Sequence, residues 1–273
     1  MSRTLLIDAD ILAYQTSAST QTAYDWGDGE VTLATDFDAA KDQARDFLDH
    51  LMETLNADDI VICLSDDITN FRKRISPTYK ANRSKTERPR HLYDMKDWLA
   101  AAYPSRSLPT LEADDVMGIM ATEPHEGTRI MVSEDKDMLT VPGFLYRPHE
   151  AKPRVIRVSP AEADRYHMYQ TLIGDATDGY PGCPGVGPAK TASVLDDFVG
   201  WEPSTHVFTQ GPRRGQSETR WVSKKFSTRW EAVVSMFHKA GLKESDAIIQ
   251  ARLARILRHG EYDGRPILWE PGR

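Results

Sequence analysis

Residues 4–9, TLLIDA, form a short β-rich apolar run that breaks on a carboxylate, Asp8. The pattern returns at residues 59–65, DIVICLS, and residues 129–133, RIMVS. Unbroken apolar runs of this length read as strands buried on both faces. Between the first two, residues 36–57 place Ala40, Ala44, Phe47, Leu48, Leu51, Met52 and Leu55 at a helical period. Residues 94–103 and the stretch running on from Ala113 read as helices too. Strands that alternate with helices predict an α/β fold, a mostly parallel central sheet flanked by helices, and such sheets collect their working groups at the carboxyl ends of the strands.

Acids stand at those ends. Asp8 closes the first run, Asp66 follows the second, and Asp135 with Asp137 follow the third. Residues 111–118, LEADDVMG, add Glu112, Asp114 and Asp115, and residues 174–179 add Asp175 and Asp178, making nine acids in five places. Each alone has an ordinary explanation: EADD suits the first turn of a helix, where the dipole favours negative charge, and Asp175 and Asp178 suit a cap and a turn. Acids aimed into one cleft from several strand ends would repel one another, and cations offset that repulsion. Oxygen donors without His or Cys clusters point to Mg²⁺ or Mn²⁺ rather than zinc. Two such ions about 3.5–4 Å apart would clamp the attacking and leaving oxygens of a phosphodiester.

With 273 residues, 40% hydrophobic, the chain can bury a large core. Its leading segment, MSRTLLIDADILAY, is interrupted by Asp8 and Asp10 and reads as neither signal peptide nor membrane span, so a cytoplasmic location is expected. Cys63 and Cys183 match no disulfide or zinc pattern and read as free thiols. Nine acids set aside from a net charge of -7 leave +2, a balance that suits a polyanionic substrate.

Basic residues are concentrated. Residues 71–90 carry eight Lys/Arg against one Glu, among them Arg72, Lys80 and Arg83, with Tyr79 offering a stacking face. A solvated loop has this composition as well, but its place after Asp66 favours a gate over the acids. Residues 182–191, GCPGVGPAKT, read as a Gly-rich hairpin between two helices. Gly185 and Gly187 would let backbone N–H groups approach a phosphate, and Lys190 would add charge. Such a device grips the nucleic-acid backbone without reading sequence. Near Pro160 the texture turns to helices and Gly/Pro turns, so two regions are expected: 1–160, carrying a basic helical gate at about 71–103, and 161–273, carrying the hairpin. Residues 210–220, QGPRRGQSETR, read as an exposed loop.

Six stretches together resemble the flap endonucleases and 5′-to-3′ exonucleases, most of all the short phage exonucleases that digest duplex DNA from 5′ ends. They are LLIDAD, LSDDITNFRKRISPTYKANR, LEADDVMG, VSEDKDMLTVPG, IGDATDGYPGCPGVGPAKT and the tail ARILRHGEYDGRPILW, which favours the phage branch. The resemblance implies a PIN-like, resolvase-like core with a helix-hairpin-helix element in the C-terminal helical region. It implies metal-binding carboxylates at all nine acids, a catalytic basic pair at Lys80 and Arg83, a stacking role for Tyr79, and K⁺ at the hairpin. It implies a monomer acting on duplex DNA at 5′ ends, gaps or flaps, with RNA–DNA hybrid as a further substrate. Ala9 departs from the Gly usual after the first Asp, and the gate between Arg83 and Glu112 is short, which suits an enzyme working at ends. A PIN-type ribonuclease and a non-catalytic DNA-end-binding protein are the rival readings; the hairpin counts against the first.

Overall fold

A computed structural model describes residues 2–25, 27, 31–85 and 87–272. In chain order the elements are β1 (Arg3–Asp8), α1 (Ala9–Ser19), β2 (Gln21–Asp25), β3 (Val31–Thr35), α2 (Phe37–Leu55), β4 (Asp59–Leu64), α3 (Phe71–Ile75), α4 (Leu92–Ala102), β5 (Ser105–Ser107), α5 (Ala113–Thr122), β6 (Thr128–Val132), β7 (Gly143–Tyr146) and β8 (Ile156–Val158). There follow α6 (Pro160–Ile173), α7 (Pro188–Asp196), β9 (Val199–Val207), β10 (Ser217–Lys225), α8 (Arg229–Lys239) and α9 (Glu244–Ala254). Short 3₁₀ segments lie at Ala81–Lys85 and Lys136–Thr140.

The chain divides into two compact units. One comprises Met1–Phe71, Arg83–Ala163 and Ile256–Ile267; the other Arg72–Asn82, Asp164–Arg255 and Leu268–Arg273. Two segments cross the division at Ala163. Residues 72–82 of the expected gate belong with the second unit, and residues 256–267 return to the first.

The first unit is built on a six-stranded sheet in the order β5-β4-β1-β6-β7-β8. All neighbours run parallel except β7 and β8. The apolar runs of β1, β4 and β6 are its three middle-lying strands, with Leu5, Ile7, Ile62, Ile130 and Val132 in one core with α1, α2 and α4. Helix α2 turns Ala40, Ala44, Leu48, Leu51 and Leu55 inward, as their period predicts, and starts where the Asp36 side chain accepts the Ala39 N–H at 2.9 Å. The chain leaves β1 towards β4 and β5 and later returns to the opposite side of β1 at β6. Strand order therefore reverses at β1, the place where open α/β sheets bind ligands beyond their carboxyl ends.

The returning tail lies on α5. A Cβ on Gly118 would collide with the Leu257 carbonyl, so only glycine lets the two backbones meet. Leu257 donates its N–H to Asp115 Oδ1 at 3.0 Å, His259 donates to Thr122 Oγ1 at 2.7 Å, and the Arg258 guanidinium donates to the Thr140 carbonyl at 2.6 Å.

In the second unit α6, α7, α8 and α9 share a core around Leu172, Leu195, Val233 and Phe237. Residues 210–220 are not wholly loop. From Ser217 they form the start of β10, which pairs antiparallel with β9 in a two-stranded ribbon. The ribbon is mostly exposed, so it lacks the alternation by which half-buried strands are read, and Pro203 in β9 further disguises it.

Candidate active site

Asp8 ends β1 and caps α1, accepting the Ile11 N–H at 3.2 Å. It is 5% exposed, and Ser133, one residue beyond β6, donates its hydroxyl to Asp8 Oδ2 at 2.9 Å. The same Ser133 oxygen accepts the Asp135 N–H at 3.1 Å, and Asp135 Oδ1 accepts the Asp137 N–H at 2.8 Å. One hydroxyl thus ties the ends of two adjacent parallel strands. Burial, then the charges of Asp10 and Asp135, push the Asp8 carboxyl up to about 7, against the opposing pull of the Ile11 amide and Ser133 hydroxyl.

Two residues on, Asp10 receives hydrogen bonds from the other side. Ser65, just past β4, donates to Asp10 Oδ2, and Ser65 Oγ accepts the Ala113 N–H at 2.9 Å. The first turn of α5, bearing Asp114, is thereby fixed to the ends of β1 and β4. Buried Lys96 of α4 lies 2.8 Å from Asp10 Oδ1 and 2.6 Å from Asp67 Oδ1. Burial disfavours its ammonium, yet Asp10 and Asp67 hold it above its ordinary pKa. Cys63 in β4 is pushed upward by burial, with the charges of Asp8 and Asp114 adding to the effect.

Asp66 has a different setting. Its oxygens accept the Thr69 hydroxyl at 2.7 Å, the Thr110 N–H at 2.8 Å and the Ile68 N–H at 2.9 Å. The Thr69 hydroxyl first, then the Thr110 amide, hold this carboxyl well below the usual range. Asp115 is fully buried between the N–H groups of Glu112, at 3.2 Å, and Leu257. Glu112 and Asp114 are half-buried at the start of α5. Among the described residues no three His, Cys, Asp or Glu side chains stand close enough, as placed, to hold one ion together.

The second unit holds Asp175 and Asp178. Asp175 Oδ1 accepts the Thr177 N–H at 2.7 Å and the Asp178 N–H at 3.2 Å. Asp178 Oδ2 accepts the Tyr79 hydroxyl at 3.0 Å and lies 3.6 Å from Lys80 Nζ. Two sequence expectations fail here. Tyr79, expected to present a stacking face, is 3% exposed and packs with Tyr180, Leu253 and Ala254, because its hydroxyl finds a buried carboxylate and its ring an apolar niche. Arg72, expected on DNA, is 2% exposed and donates to the carbonyls of Leu253, at 3.1 Å, and Arg255. It closes the C-terminal end of α9, where carbonyls lack helical partners.

The Gly-rich hairpin follows α6. Gly174 and Gly182, at φ +73 and +66, face each other so closely that a Cβ on either would strike the other's backbone. Asp175 and Tyr180 exchange N–H···O bonds between them, and Gly182 donates to Gln250 Oε1 at 2.9 Å. Beyond this stem, Gly185 takes φ +74, and a Cβ on Gly185 or Gly187 would meet open space. Lys190 Nζ donates to the Gly185 carbonyl at 2.8 Å. Gly182→Ala is expected to cost about 3 kcal/mol, from positive φ plus the backbone collision. Gly187→Ala should cost well under 1 kcal/mol; denaturant unfolding of both variants checks the contrast.

A mostly parallel sheet whose strand order reverses at β1, with Asp8, Asp66 and Asp135 at or just past the ends of its strands, is an α/β core with acidic groups where such sheets bind ligands. The family model for the 5′-3′ exonuclease N-terminal resolvase-like domain matches residues 3–144. The exonuclease of Escherichia phage T7 is 35% identical over 226 residues, 78% of this chain and 74% of its own. The chain belongs to the 5′-to-3′ exonuclease family and is a 5′-to-3′ exodeoxyribonuclease. A variant of the phage T5 5′-exonuclease superposes with a TM-score of 0.57 over 93% of this chain and 88% of its own, at 14% identity. The phage T5 flap endonuclease, solved as a pseudo-enzyme–product complex with DNA and metal ions, gives 0.54 over 72% and 75%, at 15% identity. These two likenesses are of fold. Sequence reading passed over Ser65, Ser133 and Lys96, which position the acids, and noted Asp10 only as an interruption of the leading apolar run.

Proposed function

We propose that the enzyme removes nucleotides from 5′ ends of duplex DNA with divalent ions held chiefly by Asp8, Glu112, Asp114 and Asp135. The observation that carries this is the Asp8 environment. A carboxylate raised first by its burial and then by the charges of Asp10 and Asp135 is a place short of positive charge, and its donors are oxygens, which suit Mg²⁺ or Mn²⁺. When bound, such ions activate water and neutralise charge on the departing 3′ oxygen. Ser133 holds the Asp8 carboxylate and the Asp135 backbone through one hydroxyl, and Ser65 fixes the start of α5, so these segments are in place before substrate arrives.

In this reading Asp66 and Asp115 act through the backbone they secure, while Asp175 and Asp178 hold the turn that seats Tyr79 and Lys80. Lys80 and Arg83 stabilise charge building on the scissile phosphate. The exposed tip of the hairpin, with Gly185, Gly187 and Lys190, grips duplex backbone and is the place for K⁺. A monomer acting in the host cytoplasm, on gaps and flaps as well as ends and with RNA–DNA hybrids as lesser substrates, completes the proposal. The relatedness to the T7 exonuclease and the fold shared with a flap endonuclease crystallised with DNA and metal support it.

The decisive experiment digests end-labelled duplex with Mg²⁺ or with chelator. Loss of 5′ nucleotides only with Mg²⁺ is expected; retardation without cleavage would leave a DNA-end-binding protein, and preference for RNA would favour the ribonuclease.

A further inference from the structure

The β9–β10 ribbon of the second unit sorts its charges by face. Residues directly opposite in an antiparallel pair point the same way, and neighbours along a strand alternate. By this register Glu202, Glu218, Arg220 and Lys224 share one face, which therefore holds both acids of the ribbon. Those acids are engaged there: Glu202 lies 2.5 Å from Lys224 Nζ, and Glu218 pairs with Arg220 and, at 3.1 Å, with Arg213. At its root the same face meets α8, where a Cβ on Gly200 would strike the Ser235 hydroxyl. The opposite face carries Trp201, Thr205, Thr219, Trp221, Ser223 and Lys225, and no acid.

This acid-free face runs down into a cavity of about 380 Å³. Trp201 and Ser223 line it from the ribbon, Gly185 and Lys190 from the hairpin, and Lys239 from α8, with no carboxylate among its described lining residues. The Lys239 ammonium stands over the Trp201 ring. Burial, then the charge of Lys190, lowers its pKa, so two ammonium groups compete for one space. At the far end of the ribbon the turn exposes Arg214.

We propose that the acid-free face of the ribbon is a second strip for duplex DNA, continuous with the hairpin, that lengthens the hold on the substrate. The proposal rests on the function argued above and extends its substrate surface. Charge complementarity selects the occupant. In a chain of net charge -7, a face without acids and with cations at both ends suits a polyanion, and a phosphate between Lys190 and Lys239 would relieve their repulsion. Length agrees as well: strands of nine residues reach about 30 Å, the span of about nine base pairs. Hydroxyls of Thr205, Thr219 and Ser223 can donate to phosphate and sugar oxygens, contacts that position a duplex without reading its sequence.

The test measures fluorescence anisotropy of a labelled duplex, about 24 base pairs long, with the full chain in chelator over a series of salt concentrations. Thr219→Glu, which sets a carboxylate on the acid-free face, should weaken binding about tenfold. Ser204→Glu adds the same charge on the other face and should stay within about twofold of wild type, because it faces Arg220 and points away from the DNA. Lys225→Ala should reduce the salt slope by about 1. The proposal is overturned if the wild type does not bind duplex, if Thr219→Glu binds as wild type does, or if Ser204→Glu loses as much. Should circular dichroism show Thr219→Glu misfolded, an unchanged salt slope in Lys225→Ala overturns it instead. Absence of Mg²⁺-dependent digestion by the wild type would overturn the function itself, and anisotropy would still decide the ribbon.

Discussion

Asp8→Asn should lower turnover about a thousandfold or more while raising the melting temperature of the metal-free protein at pH 8. Both effects come from one carboxylate. Asparagine keeps the N-cap of α1, because its amide oxygen can still accept the Ile11 N–H, and its NH₂ group can donate to the Ser133 oxygen where the carboxylate accepted from it. What it lacks is charge, and removal of one well-placed electrostatic group typically costs about a hundred- to a thousandfold or more in rate. The stability gain follows from the raised carboxyl. An acid lifted from 3.8 to about 7 keeps its proton longer when folded than when unfolded, so the wild type loses stability as pH climbs between those values. Above about 7 the whole penalty is present, and the variant escapes it. At about 2–4 °C per kcal/mol for a chain of this size, scanning calorimetry in chelator reads the difference easily. Added Mg²⁺ should stabilise the wild type and leave the variant nearly unmoved. A variant that melts lower than wild type without metal, or keeps wild-type rates, would contradict this account of Asp8.

Lys96→Ala is the second large effect, a loss of about 2–3 kcal/mol at neutral pH. Breaking a buried ion pair from one side costs about 3–5 kcal/mol. Here the lower figure applies because Asp10 and Asp67 are 36% and 41% exposed and screened by water. The sign with pH is definite. A lysine held above its ordinary pKa gives its full stabilisation below about 10.4 and loses it as pH rises through the folded value. Urea unfolding of wild type should therefore weaken in strongly alkaline buffer, while Lys96→Ala should show little of that dependence. Lys96→Arg should recover less than half of the loss, since a guanidinium fork does not fit a site built for a point charge.

Much of the first unit was legible because its signals are local. An apolar run breaking on an acid is a strand with its working end marked, and Asp8, Asp66 and Asp135 stand at such ends. The period of α2 and the start of α5 were equally plain. What sequence hid depends on distant partners. Tyr79 and Arg72 carry the composition of a nucleic-acid contact, and only the presence of Asp178 and the end of α9 decides that they turn inward. Asp115 looks like its neighbours in EADD until Leu257 claims its second oxygen. Lys96 lies on a helix whose apolar period announces nothing polar, and its two acids come from elsewhere in the chain. The β9–β10 ribbon was hidden for the opposite reason: with both faces largely wet, it has no pattern to betray it.

The tail that returns to α5 bears on how the chain matures during translation. The Gly118 groove and the Asp115 carboxylate stay open until residues 256–267 leave the ribosome, after every helix of the second unit has been made. Vectorial synthesis therefore delivers the nuclease half unfinished, and a cassette cut at Ala163 would carry a buried acid with half its amides missing. Anyone grafting this core onto another scaffold must carry the distant strap along with it.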